Sequence, residues 1–230
     1  MFKTITRTYN PFTGCRFEYI YCWALRQAEG RLRRLGKYRD GFAPTFHPEE
    51  LEKKFKPGEF IFVSDMGDIS FASYKDQLTI QDRVSRFPEA RFLFQSKNPV
   101  ILTQLGGYIQ PNIYLGTTIE TNRDYHITKA PPPSERYAAI RYLKHKHKFI
   151  SIEPILDFDL EVLVRWLVQI QPEIVEIGAD NHHCSLPEPP WQKVEALLAA
   201  LEKFVPQIER KEGLERLKEK RPDRANKFLH

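Results

Sequence analysis

Two of the chain's three cysteines, Cys15 and Cys22, lie in one turn-rich aromatic stretch, Asn10 to Ala24 (NPFTGCRFEYIYCWA). Thiolates are the usual protein ligands of iron–sulfur clusters, and a tight loop can aim several at one cubane. The third cysteine, Cys184, follows His182 and His183. A zinc site built from these cysteines and histidines is a second chemistry open to the sequence, although the Cys15–Cys22 spacing is looser than zinc motifs usually show. An odd number of unevenly spaced cysteines argues against a disulfide framework and leaves ligand or reactive-thiol roles open.

The elements around this loop follow from periodicity. Six runs read as strands: Lys3–Thr8, Phe60–Ser64, Arg91–Gln95, Asn112–Thr117, Phe149–Ile152 and Ile174–Gly178. Runs such as FIFVS are continuously apolar, as expected of strands buried on both faces. Helical patterns separate them, from Trp23 to Leu35, from His47-Pro48 to about Phe55, Thr79 to Arg86, Ser96 to the Gly106-Gly107 pair, Ser134 to His145, Leu160 to Gln169 and Trp191 to Phe204. Strands alternating with helices through short loops require a parallel sheet wrapped by helices. The periodicity admits either an open doubly wound sheet or a partial barrel.

In both architectures ligands bind at the carboxyl ends of the strands. The polar residues gathered there include Asp65 and Asp68, Ser96 and Lys97, Thr117, Glu120, Glu153 and Asp180. Helix capping also places Ser, Asp and Asn at such positions, and it accounts for Ser96 and Asp180 as readily as ligand binding does. Glu120 and Glu153 fit capping less well, because a carboxylate fed directly by an apolar strand must be solvated or paired.

With its offsets counted, the cysteine loop resembles the cluster loop of radical S-adenosylmethionine (SAM) enzymes, Cys-x3-Cys-x2-Cys after the first strand of a barrel, with an aromatic residue before the last cysteine. Cys15, Tyr19 and Cys22 occupy the three cysteine positions, and Tyr21 the aromatic one. The wording NPxTGC and YCWA is most similar to a radical-SAM-like family named from phage proteins and found in phages, bacteria and archaea. That resemblance extends over residues 8 to 205. It implies an α/β fold, a partial (βα)6 TIM-type barrel with parallel strands. It also implies a [4Fe-4S] cluster held by Cys15 and Cys22, SAM chelated to that cluster, Tyr21 packed on the adenine, and Asp65, Lys97 and Glu120 in contact with SAM. The glycine-rich acidic motif that many members carry after the second strand is replaced by SDMGD.

Tyr19 is the departure, since it stands at the missing third ligand position. A phenol, which ordinarily ionises only near pH ~10, is a harder and poorer ligand than a thiolate. Three explanations are open: a cluster-free descendant that keeps the barrel as a binding scaffold, recruitment of Cys184, or a substitution, since one base change turns a Cys codon into a Tyr codon.

The formal charge of +5 and pI of about 9.0 are compatible with a nucleic-acid partner, bound through the helix that carries Arg26, Arg31, Arg33 and Arg34. Abundant Lys, Arg and Glu with 17 prolines and two methionines equally suit a thermophile's surface. No apolar run approaches the roughly 20 residues of a membrane span, and MFKTITRTYN lacks a signal-peptide core, so a cytoplasmic protein with no membrane partner is expected. The barrel is expected over residues 1–205. Residues 206–230, where Ile208, Leu214 and Leu217 are sparse among charges, read as a charged C-terminal helix or tail.

Overall fold

The computed structural model describes residues 2–104 and 110–219. In chain order its elements are β1 (Arg7–Tyr9), β2 (Phe12–Thr13), α1 (Trp23–Glu29), β3 (Thr45–Phe46), β4 (Phe60–Val63), α2 (Tyr74–Ser85), β5 (Arg91–Gln95), β6 (Ile113–Thr118), α3 (Pro133–Tyr142), β7 (Lys148–Ile152), α4 (Leu160–Ile170), β8 (Ile174–Ile177), α5 (Trp191–Leu201) and β9 (Gln207–Arg210). The main sheet runs β1-β4-β5-β6-β7-β8-β9 with every pairing parallel. This is the partial barrel that the resemblance implied. The small antiparallel pair β2–β3 clasps the segment that contains the cysteine loop.

Side-chain alternation divides the core into two layers. Ile61, Phe92, Leu115, Ile150 and Val175 face outwards onto Ile80, Val84, Leu163, Leu167, Val194 and Leu197 of the helices. Their neighbours Phe60, Leu93, Tyr114, Phe149 and Ile174 face inwards and pack with Phe2 and Ile5. A period of two sends successive residues to opposite faces, so each strand serves both layers. The N-terminal segment thus fills the concave side of the sheet. Phe2 lies 5.3 Å from the Phe62 ring and 5.0 Å from that of Phe149, centroid to centroid. The Lys3 and Thr4 amides each donate to the Glu176 carboxylate at 3.0 Å.

Several element boundaries differ from the sequence reading. The first strand is Arg7–Tyr9 rather than Lys3–Thr8, because residues 3 and 4 are engaged by Glu176. Helix α1 stops at Gly30 and continues as a 3-10 turn, Arg31–Arg34. The helices expected after His47 and Asn98 are 3-10 turns, Pro48–Glu52 and Pro99–Thr103. Helix α2 begins earlier than Thr79, where Ser73 caps the Asp76 amide at 3.1 Å. Residues 206–219 are not a simple tail. Gln207–Arg210 forms a seventh strand beside β8, and Leu214 and Leu217 are fully buried in the sheet–helix core. An edge strand needs little apolar surface of its own, so the charged composition of QIERKEGLERLK concealed it. The Gly106-Gly107 helix end and residues 220–230 of the expected tail lie outside the described residues. No described helix is long and apolar enough to cross a membrane.

Candidate functional site

The cysteine loop is held in place by backbone contacts that exclude side chains. Gly14 adopts φ +88°, and a Cβ there would meet the Ala43 carbonyl oxygen at 2.3 Å. Gly67, in the loop after β4, forms a parallel bridge with Gly14, and its own Cβ would come within 2.7 Å of the Gly14 backbone nitrogen and oxygen. Thr13 Oγ1 and His47 Nε2, 2.8 Å apart, tie β2 to the segment after β3. The loop is therefore wedged between the β4 loop and residues 42–47, with its aromatic half turned towards the barrel.

Its two thiols are half-buried. Cys15 Sγ accepts the Phe17 amide at 3.4 Å, and burial together with the nearby Asp68 charge pushes the thiol up to about 12. Cys22 is the N-cap of α1, its sulfur accepting the Leu25 amide at 3.3 Å. Cys184 Sγ accepts from Arg26 Nη2 at 3.0 Å. All three cysteines border one small apolar cluster formed by Phe17, Tyr19, Tyr21, Leu156 and Leu186. Even so, among the described residues no three Cys, His, Asp or Glu side chains converge as a metal-ligand group, so the zinc set of cysteines and histidines is not assembled.

Tyr19 and Tyr21 belong instead to a buried ionic network. Their rings lie 4.9 Å apart, and the Lys97 ammonium sits 3.5 Å from the Tyr19 ring centroid. Lys97 Nζ donates to the Tyr21 hydroxyl and to Glu120 Oε1, both at 2.7 Å, and the Tyr21 hydroxyl donates to the same carboxylate. Arg136 of α3, 2 % exposed, meets Glu120 Oε2 at 2.8 Å and donates to the Thr118 carbonyl at 2.6 Å. Burial alone would raise the Glu120 carboxyl, but Arg136 and Lys97 hold it at about 2. Burial lowers Lys97, against the pull of Glu120, and raises both phenols well above their usual value. Tyr19 is accordingly a neutral phenol under a cation, packed beside Thr128. Sequence reasoning missed Arg136: in SERYAAIRY it has the spacing of an ordinary solvent-facing arginine, and only the orientation of α3 directs it inwards.

The remaining strand-end residues each meet different partners. Asp65 accepts from Asn10 Nδ2 at 2.6 Å, and burial raises its carboxyl. Asp68 joins two loops, accepting from Ser96 Oγ at 2.6 Å, the Lys97 amide at 2.8 Å and the Ser70 amide at 3.0 Å. Glu153, ahead of a cis Pro154, is paired with Lys211 and lies against Gly178, where a Cβ would come within 2.7 Å of its carboxylate. Asp180 mainly holds its own turn, accepting the Cys184 amide at 2.6 Å and the His182 amide at 3.2 Å. Thr117 is wholly buried. Its neighbour Thr118 is the one that lines the cavity, because adjacent strand residues face opposite ways.

These loops enclose a cavity of about 550 Å³, within the usual range for small-molecule sites. Cys15, Cys22, Tyr19, Tyr21, Asp65, Lys97, Glu153 and Asp180 all line it, while Glu120 reaches it only through Lys97 and Tyr21. Phe17, Trp23, Phe42 and Phe62 supply apolar wall, and Phe2 and Lys3 of the N-terminal segment contribute as well.

No protein-family model matches the chain, and no curated protein does so. Solved structures do. Spore photoproduct lyase, a radical SAM enzyme, bound to dinucleoside spore photoproduct as a single-residue variant, superposes with a TM-score of 0.62 at 11% identity, covering 88% of this chain and 75% of that one. A further variant of that lyase with AdoMet and the dinucleoside bound gives a TM-score of 0.59 at 10% identity, covering 91% and 78%. At such identity the likeness is one of fold: the chain has the partial barrel of radical SAM proteins.

Proposed function

We propose that the chain is a radical-SAM-type barrel that binds S-adenosylmethionine, or a closely related adenosyl compound, in its mouth without completing a [4Fe-4S] site. The observation that carries this reading is Tyr19. At the position where the loop pattern calls for a third thiolate stands a neutral phenol, with its ring under the Lys97 ammonium at 3.5 Å. Such a group offers iron no soft anionic donor, and ionising it would require burying a phenolate near the Glu120 carboxylate. Two half-buried thiols remain in the loop, one capping a helix and one pushed up to about 12, and among the described residues Cys184 does not converge with them as a metal-ligand group. These residues do not fit a three-thiolate cluster.

They do suit the zwitterionic, nucleoside-bearing ligand. SAM has an ammonium, a carboxylate, a sulfonium and an adenosine. The cavity presents carboxylates from Asp65, Glu153 and Asp180, cations from Lys97 and Lys211, and aromatic wall from Phe17, Trp23, Phe42 and Phe62. The carboxylates would receive the ammonium, the lysines the carboxylate, and the apolar wall the nucleoside, with Tyr21 held rigid by Glu120. The closer kinship with the phage-named family rests on the NPxTGC and YCWA wording and is part of this proposal.

The test is anaerobic reconstitution with ferrous iron and sulfide, followed by iron and sulfide analysis, beside calorimetric titration of the untreated protein with SAM. The expected result is saturable one-site SAM binding and no stoichiometric four-iron loading, with iron uptake appearing in Tyr19→Cys. Four irons and four sulfides on the parent chain would refute the reading of Tyr19; absence of SAM binding would refute the ligand assignment.

A further inference from the structure

The stretch from Cys15 to Arg39 contains seven arginines or lysines against two glutamates, an excess equal to the whole chain's formal +5. Elsewhere the described cations are commonly matched by carboxylates, as Arg7 is by Glu59, Arg86 by Asp82 and Arg123 by Asp157 and Asp159. Here the two glutamates are already taken, Glu29 by Arg33 and Glu18 by Lys129. Arg16, Arg31 and Arg34 are exposed and have no carboxylate partner among the described residues. Arg26 is exposed too, its guanidinium resting on the Cys184 sulfur and the Ile20 carbonyl.

Arg16 and Arg26 adjoin the cavity mouth, and Arg31 and Arg34 follow on the 3-10 turn that continues from α1. Arg16 lies between Cys15 and Phe17, both of which line the cavity. Trp23 and Gln27 also line it, and on α1 they share a face with Arg26, at spacings of three and four residues from Trp23. The Trp23 indole is 39 % exposed, and Ile20 beside it 53 %. An indole left half in water at a cavity rim, among unpaired arginines, is a stacking platform with anion contacts around it. The interior has the opposite bias: Asp65, Asp68, Glu153, Asp180 and Glu212 outnumber Lys3, Lys97 and Lys211. Phosphates are thus kept on the rim, while the inner carboxylates offer acceptors to the exocyclic amines of a base.

We propose that the mouth of the barrel takes an unpaired base of single-stranded nucleic acid, stacked on Trp23, with the flanking phosphates on Arg16, Arg26, Arg31 and Arg34. A duplex keeps its bases stacked inwards and its phosphates on a rod, so it uses the arginines without Trp23. The proposal uses the rim, goes beyond SAM binding, and is tested without SAM present.

The experiment is fluorescence anisotropy with labelled 12-mers of deoxycytidine and cytidine and a 12-base-pair duplex, from 50 to 200 mM salt. With about four phosphates neutralised, one per arginine, a slope near −2.8 in log–log form predicts a loss of roughly 50-fold across that range. Arg31→Gln with Arg34→Gln should shrink the slope by about 1.4. Trp23→Ala should weaken single-strand binding by roughly 5- to 150-fold while leaving duplex binding nearly unchanged, with Trp23→Phe restoring most of it. Because all these side chains are exposed, thermal melts should match the parent and exclude misfolding. Preference for the deoxy or ribo strand identifies the source. Salt-independent binding, duplex binding as tight as single-strand binding, an unaffected Trp23→Ala, or no binding at 50 mM salt would each overturn the proposal.

Discussion

Replacing Arg136 by Met tests the buried network directly. In the parent, Glu120 is 2 % exposed and carries Arg136 on one carboxylate oxygen, with Lys97 and the Tyr21 hydroxyl on the other. Methionine approximates the arginine's length and apolar stem but removes the charge and the bond to the Thr118 carbonyl. Breaking a buried pair by deleting one partner costs about 3–5 kcal/mol. Because Lys97 and Tyr21 remain on the carboxylate, the lower end, about 3 kcal/mol, is expected. The pH dependence is a second readout. The Glu120 carboxyl moves from 4.5 to about 2 on folding. A folded pKa below the unfolded one stabilises the protein fully above the unfolded value and ceases to do so as pH falls through the folded value. That contribution is about 3 kcal/mol, and in the parent it drains away between pH 4.5 and 2. Without Arg136 the carboxyl rises and acid unfolding begins at higher pH. Urea melts at pH 7 and an acid titration followed by circular dichroism measure both effects. The double variant with Glu120→Gln should lose less than the two single losses combined, with a coupling of about 1–3 kcal/mol. A loss under about 1 kcal/mol at pH 7, with the acid transition unmoved, would refute the account of Glu120 as a carboxylate held ionised by Arg136.

Other outcomes follow from the same geometry. Gly67→Ala forces a Cβ to within 2.7 Å of the Gly14 backbone, which cannot yield as a side chain can; a loss of about 1–3 kcal/mol and of SAM affinity is expected, and an unchanged melt would refute the wedge. Leu214→Ala should cost about 2–5 kcal/mol by urea melt, because the side chain is fully buried beyond β9; a cost near zero would return residues 206–219 to the status of a tail. With its thiol pushed from 9.0 to about 12, Cys15 should carry a thiolate fraction about a thousandfold below that of a free cysteine and be alkylated correspondingly slowly by iodoacetamide at pH 8. Peptide mapping that found Cys15 as reactive as a free thiol would contradict its placement.

The sequence by itself determined where most strands of the sheet lie and which loops follow them. An apolar run of strand length such as Phe60–Val63, bounded by Pro57-Gly58 and a polar loop, reads as a strand buried on both faces, and that pattern is local. The same locality made the cysteine loop, Tyr19 as its irregular member, and Asp65, Lys97, Glu120 and Glu153 visible as residues leaving apolar strands. Tertiary structure decided what those groups meet. Glu120 finds Arg136 from a helix that begins thirteen residues later, and Lys97 spans to Tyr21 from far along the chain. Thr118 rather than Thr117 faces the cavity because the twist and register of β6 set which face is inner. The seventh strand was concealed for a related reason: an edge strand gains its place by pairing with β8, and Leu214 and Leu217 acquire a core only after the sheet exists to receive them. Periodicity reports whether a residue turns inwards or outwards on its own element; the partner that satisfies a buried charge is supplied by a different element, and only the assembled barrel brings the two within hydrogen-bonding distance.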